Sequence, residues 1–247
     1  MISISVCLAL YNGSSFILEQ VESILNDLPS NSELIILNDC SSDGSVLLLD
    51  SISDERVRVL NNENNIGVNR TFEHLLCVAK GDYIFLSDQD DVWVSGRCQR
   101  MIDMLEQHNV LLVSTAFSFI DENSNPIDIP FDFLEEKSST LNFDNMVRIF
   151  LGRANYYGCA MLIKRDLLRI CLPFPKCIES HDLWIAIVAN ILKRNYHSSY
   201  ISLGRRIHGN NLSIVERSFF SKIFSRLIFV FHIIIGYKRL FVFGVFK

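Results

Sequence analysis

Asp88-Gln89-Asp90-Asp91 places three carboxylates within four residues, directly after the apolar run Tyr83–Leu86. Carboxylates so crowded repel one another unless a cation neutralises them. Oxygen donors of this kind suit Mg2+ or Mn2+, which are typically held by one or two carboxylates plus substrate phosphates. A solvated turn is the plainer reading of any isolated D-x-D. Asp39 follows a second apolar run, Glu33–Leu37, and could accept the imide N–H of a uracil or thymine ring. Taken alone it is better read as capping the next helix or its loop, a job Asp43 or Ser45 could do equally well. Arg70 suits either a diphosphate or a plain surface position. Asp182, beside His181, opens a late helical segment, where the helix dipole favours a carboxylate; within reach of a hydroxyl the same group is a general base. His208 could bind a metal or a diphosphate oxygen, though a lone histidine is more often a polar loop residue; Arg205 and Arg206 beside it favour an anion nearby.

These residues need a scaffold that brings them together, and the hydrophobic periodicity supplies one. Strands are predicted over 2–10, 33–37, 57–60, 83–86 and near 110–117, alternating with helices that start after Tyr11-Asn12-Gly13-Ser14 and run over 46–52, from Gly67 to about Ala79, and near 97–107. Strands joined by helical crossovers imply an α/β fold with a mostly parallel sheet, whose ligands bind outside the carboxyl ends of the strands. Asn12, Asp39 and the Asp88–Asp91 group each follow a strand, so all three are expected at that edge. Residues 121–145, acidic and carrying Pro126 and Pro130, read as a long surface flap. A strand over 156–163, a helix over 180–193 and a strand over 196–203 follow.

Composition narrows the classes further. The chain has 247 residues, 49% of them hydrophobic, and a net charge of −5. That charge is uneven: residues 216–247 hold six Lys or Arg against Glu216 alone, with eight of the 18 Phe, while the rest holds 17 Lys or Arg against 27 acids. An acidic body argues against nucleic-acid binding, and a basic aromatic tail suits an anionic membrane surface. The seven cysteines form no C-x-x-C pair and read as reduced thiols of a cytosolic protein. Met1 runs straight into an alternating strand, so no signal peptide is expected. No G-x-G-x-x-G follows the first strand, and neither a G-x-x-x-x-G-K-[ST] loop nor a G-x-S-x-G elbow occurs. Those absences argue against dinucleotide dehydrogenases, P-loop phosphotransferases and the usual α/β-hydrolases.

In order, Ser5-Val6 with Tyr11-Asn12-Gly13, Leu37-Asn38-Asp39 with Asp43-Gly44-Ser45, Asn65-Ile66-Gly67 with Arg70, the stretch Gly81 to Trp93, His181-Asp182, and His208-Gly209-Asn210-Asn211 resemble the family 2 glycosyltransferases of GT-A fold. The match runs from about residue 2 to 215. The resemblance implies an inverting transferase that uses a nucleotide-diphosphate sugar and a divalent metal. It puts Tyr11 and Asn12 near the nucleotide, Asp39 on its base and Arg70 nearby. Asp88 and Asp90 become the D-x-D pair, with Asp90 and His208 at the metal and Asp182 as catalytic base. The chain departs from the usual pattern at Asn38 and His181, where an acid is more common. Ser87-Asp88-Gln89-Asp90-Asp91-Val92-Trp93 looks like the branch containing bacterial rhamnosyltransferases of surface polysaccharide (O-antigen) assembly, which implies dTDP-L-rhamnose as donor and a lipid-linked glycan as acceptor. A sugar nucleotidyltransferase and a non-catalytic nucleotide- or glycan-binding module are the other two readings.

The expected organisation is a transferase domain over 1–215, with a nucleotide-sugar half (1–120) and an acceptor and base half (121–215), followed by a helical tail over 216–247. The longest low-charge run of the tail, 227–237, has 11 residues, short of the ~20 needed to span a bilayer. Its charges scatter around a helical wheel rather than forming one polar face. The tail is read foremost as an in-plane anchor at the cytoplasmic face of the membrane, otherwise as a helix packed on the domain or a homodimer interface.

Overall fold

In the computed structural model, which describes residues 3–209 and 219–243, four strands of the first half pair in parallel. They are β1 (Ile4–Leu10), β2 (Glu33–Asn38), β3 (Val57–Asn61) and β4 (Tyr83–Ser87), in the spatial order β3-β2-β1-β4. Helices α1 (Ile17–Asp27), α2 (Ser45–Leu49) and α3 (Val68–Val78) form the crossovers. Side chains alternate across each strand and divide the core in two. Cys7, Ile35, Leu37, Ile84 and Leu86 face one side, with α3; Val6, Leu8, Leu34, Ile36 and Phe85 face the other, with α1 and α4 (Arg97–Gln107).

Beyond β4 the sheet changes character. The strand β8 (Met161–Lys164) pairs antiparallel with both β4 and β6 (Leu112–Ile120), and β9 (Asn195–Arg206) runs parallel to β6. Two-residue strands complete it: β5 (Val92–Trp93) on β9 and β7 (Pro126–Ile127) on β6, both antiparallel. The nine-stranded sheet among the described residues is therefore parallel from β3 to β4 and mixed overall. Because β8 is inverted, its entry end lies at the edge where β1, β2, β4, β6 and β9 finish. That edge gathers the polar clusters.

Three local expectations change. The strand expected over 156–163 is confined to 161–164, because Gly158–Ala160 form a 3-10 turn whose first N–H bonds Asp182 instead of a strand. Residues 121–145 are not a free flap. They contribute β7, a 3-10 turn (Glu136–Thr140) and the start of α5 (Asn142–Phe150), and Phe131 and Phe133 pack on Phe117 at 5.5 and 4.9 Å between ring centroids. The polar stretch Tyr11-Asn12-Gly13-Ser14, whose residue types signal a turn and a helix N-cap, gives α1 no side-chain cap: the first turn closes on the Gly13 carbonyl, and the Ser14 N–H is taken by Asp43.

After α6 (Arg165–Cys171) and α7 (His181–Ile191), the tail forms α8 (Phe219–Val242) and packs on α7 and α6. Phe229, His232 and Leu240 are buried there, and His232 bonds the Cys177 carbonyl at 2.8 Å. The packed-helix reading of the tail describes this inner face. The expected boundary at 215/216 and residues Asn210 and Asn211 lie outside the described residues.

Candidate active site

The loops after β1 and β4 are joined by one side chain. Gln89 accepts the Tyr11 N–H at 2.7 Å and donates to the Tyr11 carbonyl at 3.0 Å. Gly13 leaves room for it, since a Cβ there would meet the Gln89 amide carbon at 2.6 Å and displace that side chain. Asn12, at φ 51°, donates its N–H to Ser41 and accepts the Ser42 N–H at 2.8 Å, tying the first loop to the loop after β2. The Tyr11 ring is left half exposed at this rim, free to stack on a flat ligand.

Asp39 and Asp43 divide the work the sequence left undecided. Asp43 holds the start of α2, accepting the N–H groups of Ser14 and Ser45; burial opposes its charge, but these bonds and the Ser45 hydroxyl outweigh it and hold the carboxyl down to about 2. Asp39 reaches the other way. Its oxygens accept the Ile66 N–H, the Gly67 N–H and the Asn62 amide, each at 2.9 Å, so it braces the entry to α3. Arg70, on α3, pairs with Glu73 and donates to the carbonyls of Pro175 and Lys176 at 3.2 Å. Those contacts direct it to the segment leading into α7.

At the centre of the edge, Asp88, Asp91 and Cys159 bring one ligand atom each within 4.8 Å of one another. Burial, reinforced by the Asp90 charge, pushes Asp88 up to about 6 and Asp91 well above the usual carboxylate range. Burial also raises the Cys159 thiol, which keeps its proton. The Asp91 Oδ2 atom is buried without a hydrogen-bond partner. Asp90 meets His208, Nε2 to Oδ2 at 2.7 Å. The structure therefore brings Asp88, Asp90, Asp91 and His208 to one place, with Asp91 more deeply set than its two neighbours.

Arg205 and Arg206 arrive on the end of β9. The Arg205 guanidinium stacks over Tyr157 at 4.7 Å, and its charge opposes the upward shift of Asp88 and Asp91. Arg206 is fully buried, donating to the Asp90 carbonyl at 2.8 Å and to Glu19 at 2.7 Å, with its backbone N–H on Asp91. Arg97, buried under the Trp93 ring at 4.2 Å, holds the Cys159 carbonyl from behind.

Asp182 comes to the same site from α7. Its Oδ2 accepts the Gly158 N–H at 3.1 Å and its Oδ1 the Leu183 N–H at 2.7 Å, and its charge contributes to the raised Asp88. The adjacent His181 is a buried packing residue: its ring stacks on Phe72 at 4.0 Å, and its N–H bonds Asn69 at 2.9 Å. Burial lowers its pKa and favours the neutral ring. The sequence did not single out Gln89, Asn69, Gly158, Cys159, Arg97 or Tyr157. Only Gln89 carried a local signal, its place inside the acidic run.

Residues 5–171 match the family described as glycosyl transferase family 2. The chain belongs to that family. This glycosyltransferase is 28% identical over 189 residues to TuaG of Bacillus subtilis, a protein whose name assigns it provisionally to teichuronic acid biosynthesis; the alignment covers 75% of this chain and 71% of that one. It is 28% identical over 121 residues to WfgD of Escherichia coli, named a UDP-Glc:alpha-D-GlcNAc-diphosphoundecaprenol beta-1,3-glucosyltransferase. There the match spans 49% of this chain and 48% of the relative, so about half of each is compared. Among solved structures, TarS 1–349 of S. aureus in complex with UDP-GlcNAc superposes with a TM-score of 0.71 at 16% identity, covering 98% of this glycosyltransferase and 73% of that 1–349 chain. That likeness establishes the GT-A-like α/β fold expected from the sequence.

Proposed function

We propose that this chain transfers a sugar, with inversion, from a nucleoside-diphosphate donor to a hydroxyl of a lipid-linked surface-polysaccharide precursor, working at the cytoplasmic face of the membrane. The observation that carries the reading is the placement of Asp182. It is held by the Gly158 and Leu183 N–H groups next to the Asp88–Asp91 cluster, at the edge where a nucleotide would lie. In this mechanism Asp182 accepts the acceptor's hydroxyl proton as that oxygen attacks the anomeric carbon. The bond from that carbon to the diphosphate oxygen breaks on the opposite face, and the electron pair leaves with the nucleoside diphosphate. No covalent sugar–enzyme intermediate is needed, unlike retaining glycosidases with their paired carboxylates.

Tyr11 stacks on the base in this reading, while Asn12, Asp39 and Arg70 shape the nucleotide side. Asp39 acts there through the loop it braces as well as through any free lone pair. The hard oxygen donors of Asp88, Asp90 and Asp91, an orphaned Asp91 oxygen among them, fit Mg2+ or Mn2+, with His208 beside Asp90 as a nitrogen donor. When bound, such an ion supplies charge stabilisation for the leaving diphosphate. Arg205 adds positive charge of the protein's own. Residues 1–120 then serve the donor and 121–215 the acceptor and the base.

The name of WfgD supports a diphosphoundecaprenol-borne acceptor. For the donor, the Ser87–Trp93 form supports dTDP-L-rhamnose and the WfgD name supports UDP-glucose. A donor panel with purified enzyme and Mn2+, read by released nucleotide, distinguishes them. Nucleoside-diphosphate release from one donor, lost on chelation with EDTA, is the expected result. Pyrophosphate formation from a nucleoside triphosphate and sugar phosphate would make the chain a nucleotidyltransferase, and no turnover with bound donor would make it a binding module.

A further inference from the structure

The inner face of α8 is fully used, yet its outer face is also apolar. Phe224, Leu227, Phe231 and Ile234 are 51–64% exposed and recur at spacings of three and four, which puts them on one stripe of the helix. That stripe lies opposite Phe229, His232 and Leu240, which face the core. It continues onto a second element. The α5 helix exposes Phe143 at 72% and Val147 at 40%, and the two helices are joined where Arg226 donates to the Phe150 carbonyl at 3.1 Å. Exposed apolar residues scattered singly need no explanation, but exposed apolar rows on two adjoining helices do.

We infer that the outer faces of α8 and α5 form one docking surface for an anionic lipid bilayer, lying in the plane of the interface. The charges commit the surface to that occupant. No Asp or Glu occurs between residues 219 and 243, where Lys238 is exposed while Arg239 turns inward to α6, and on α5 Asp144 is outnumbered by Arg148 and the following Arg153. Lys238 is exposed beside the apolar stripe. A second copy seated on α8 would set Arg226 and Lys238 against like charges, whereas acidic headgroups would neutralise them and the apolar stripe would enter the acyl boundary. Among the described residues no helix is long and apolar enough to cross a membrane.

The platform also touches the segment that leads to the site. His232, on the inner face of α8, holds the Cys177 carbonyl, four residues before His181, and Arg70 holds Pro175 and Lys176 in the same stretch. A bilayer bound under α8 and α5 is thus linked through one packed layer to the start of α7. The inference deepens the reading of a membrane-borne acceptor, but its test uses neither donor nor acceptor, so either can fail while the other stands.

The test is flotation of the full chain with vesicles of phosphatidylglycerol and phosphatidylethanolamine, against vesicles of phosphatidylcholine alone. The expected result is binding to the anionic vesicles at least tenfold stronger, weakened several-fold when NaCl rises from about 0.1 to about 0.5 M. Leu227→Glu with Ile234→Glu should abolish binding, and Phe143→Glu with Val147→Glu should lower it at least fivefold. All four positions are exposed, so unfolding temperatures should match the wild type. The inference is overturned if the wild type ignores anionic vesicles, or if the α8 variant binds as well as the wild type. It is also overturned if the wild type is a solution dimer that the same substitutions convert to monomer, which would make the face an interface between copies.

Discussion

At the residue scale, the site depends on carboxylates in unequal environments. Asp182 receives two N–H donors, while Asp88 and Asp91 are pushed upward by burial and by Asp90. Asp182→Asn keeps the shape but turns an amide nitrogen toward a backbone donor and removes the base. Turnover should fall ~100- to 10,000-fold, with donor affinity by calorimetry unchanged within about twofold. Retained turnover would remove Asp182 from the role. Asp90→Ala should lower donor affinity at least tenfold in Mn2+ and little without it; equal loss in both conditions would point to a structural role. The carboxylates of this site were legible in the sequence because acids clustered after a strand are costly without a purpose. Gln89's grip on Tyr11 and the stacking of His181 on Phe72 were not, since each joins residues 78 or more apart or on separate helices.

At the element scale, the second half of the chain is held by a buried polar network that joins the 3-10 turn over 136–140, α5, α7 and β9. His197 lies between the Ser138 hydroxyl at 2.7 Å and the Tyr156 hydroxyl at 2.8 Å, and Asn190 donates to Tyr156 at 2.9 Å. With Tyr156 donating, Nε2 accepts, so the ring is neutral with its proton on Nδ1. Burial, helped by the Arg148 charge, holds His197 down to about 4. Between that value and the ordinary 6.5, the unfolded chain binds a proton that the folded chain refuses. Stability is therefore whole above pH 6.5 and is lost as pH falls towards 4, by about 3 kcal/mol at most from this group. Urea midpoints at pH 7 and pH 4.5 measure it. His197→Gln should be less stable at pH 7 and show a shallower decline than the wild type; parallel declines would exclude His197 as the source. Residues 121–145 read as a loop because the sequence shows acids and prolines there, whereas Phe131 and Phe133 matter only once Phe117 is beside them.

At the scale of the whole molecule, the tail is part of the enzyme's core. Arg239 on α8 donates to the carbonyls of Ile170 and Cys171, both at 2.7 Å, and to that of Pro173, and stacks over Trp184 at 5.2 Å. These bonds satisfy the end of α6, far away in sequence. Arg239→Met should keep much of the packing and lose the charged bonds, costing about 2 kcal/mol and lowering the thermal midpoint by several degrees. An unchanged midpoint would mean that α8 does not stabilise the domain. The charges of the tail scatter on a helical wheel because α8 has two apolar faces, one toward the domain and one outward.

The sequence by itself determined the parallel half of the sheet, the edge where ligands would gather and the acids placed there, because these follow from short-range periodicity and from polar residues at strand ends. Only the tertiary structure decided that β8 enters inverted between β4 and β6, that Asp39 braces α3 rather than capping α2, and that Asp182 rests on Gly158. Each of those depends on contacts between distant residues. Local pattern sets which face a side chain takes, but packing in three dimensions sets its neighbour.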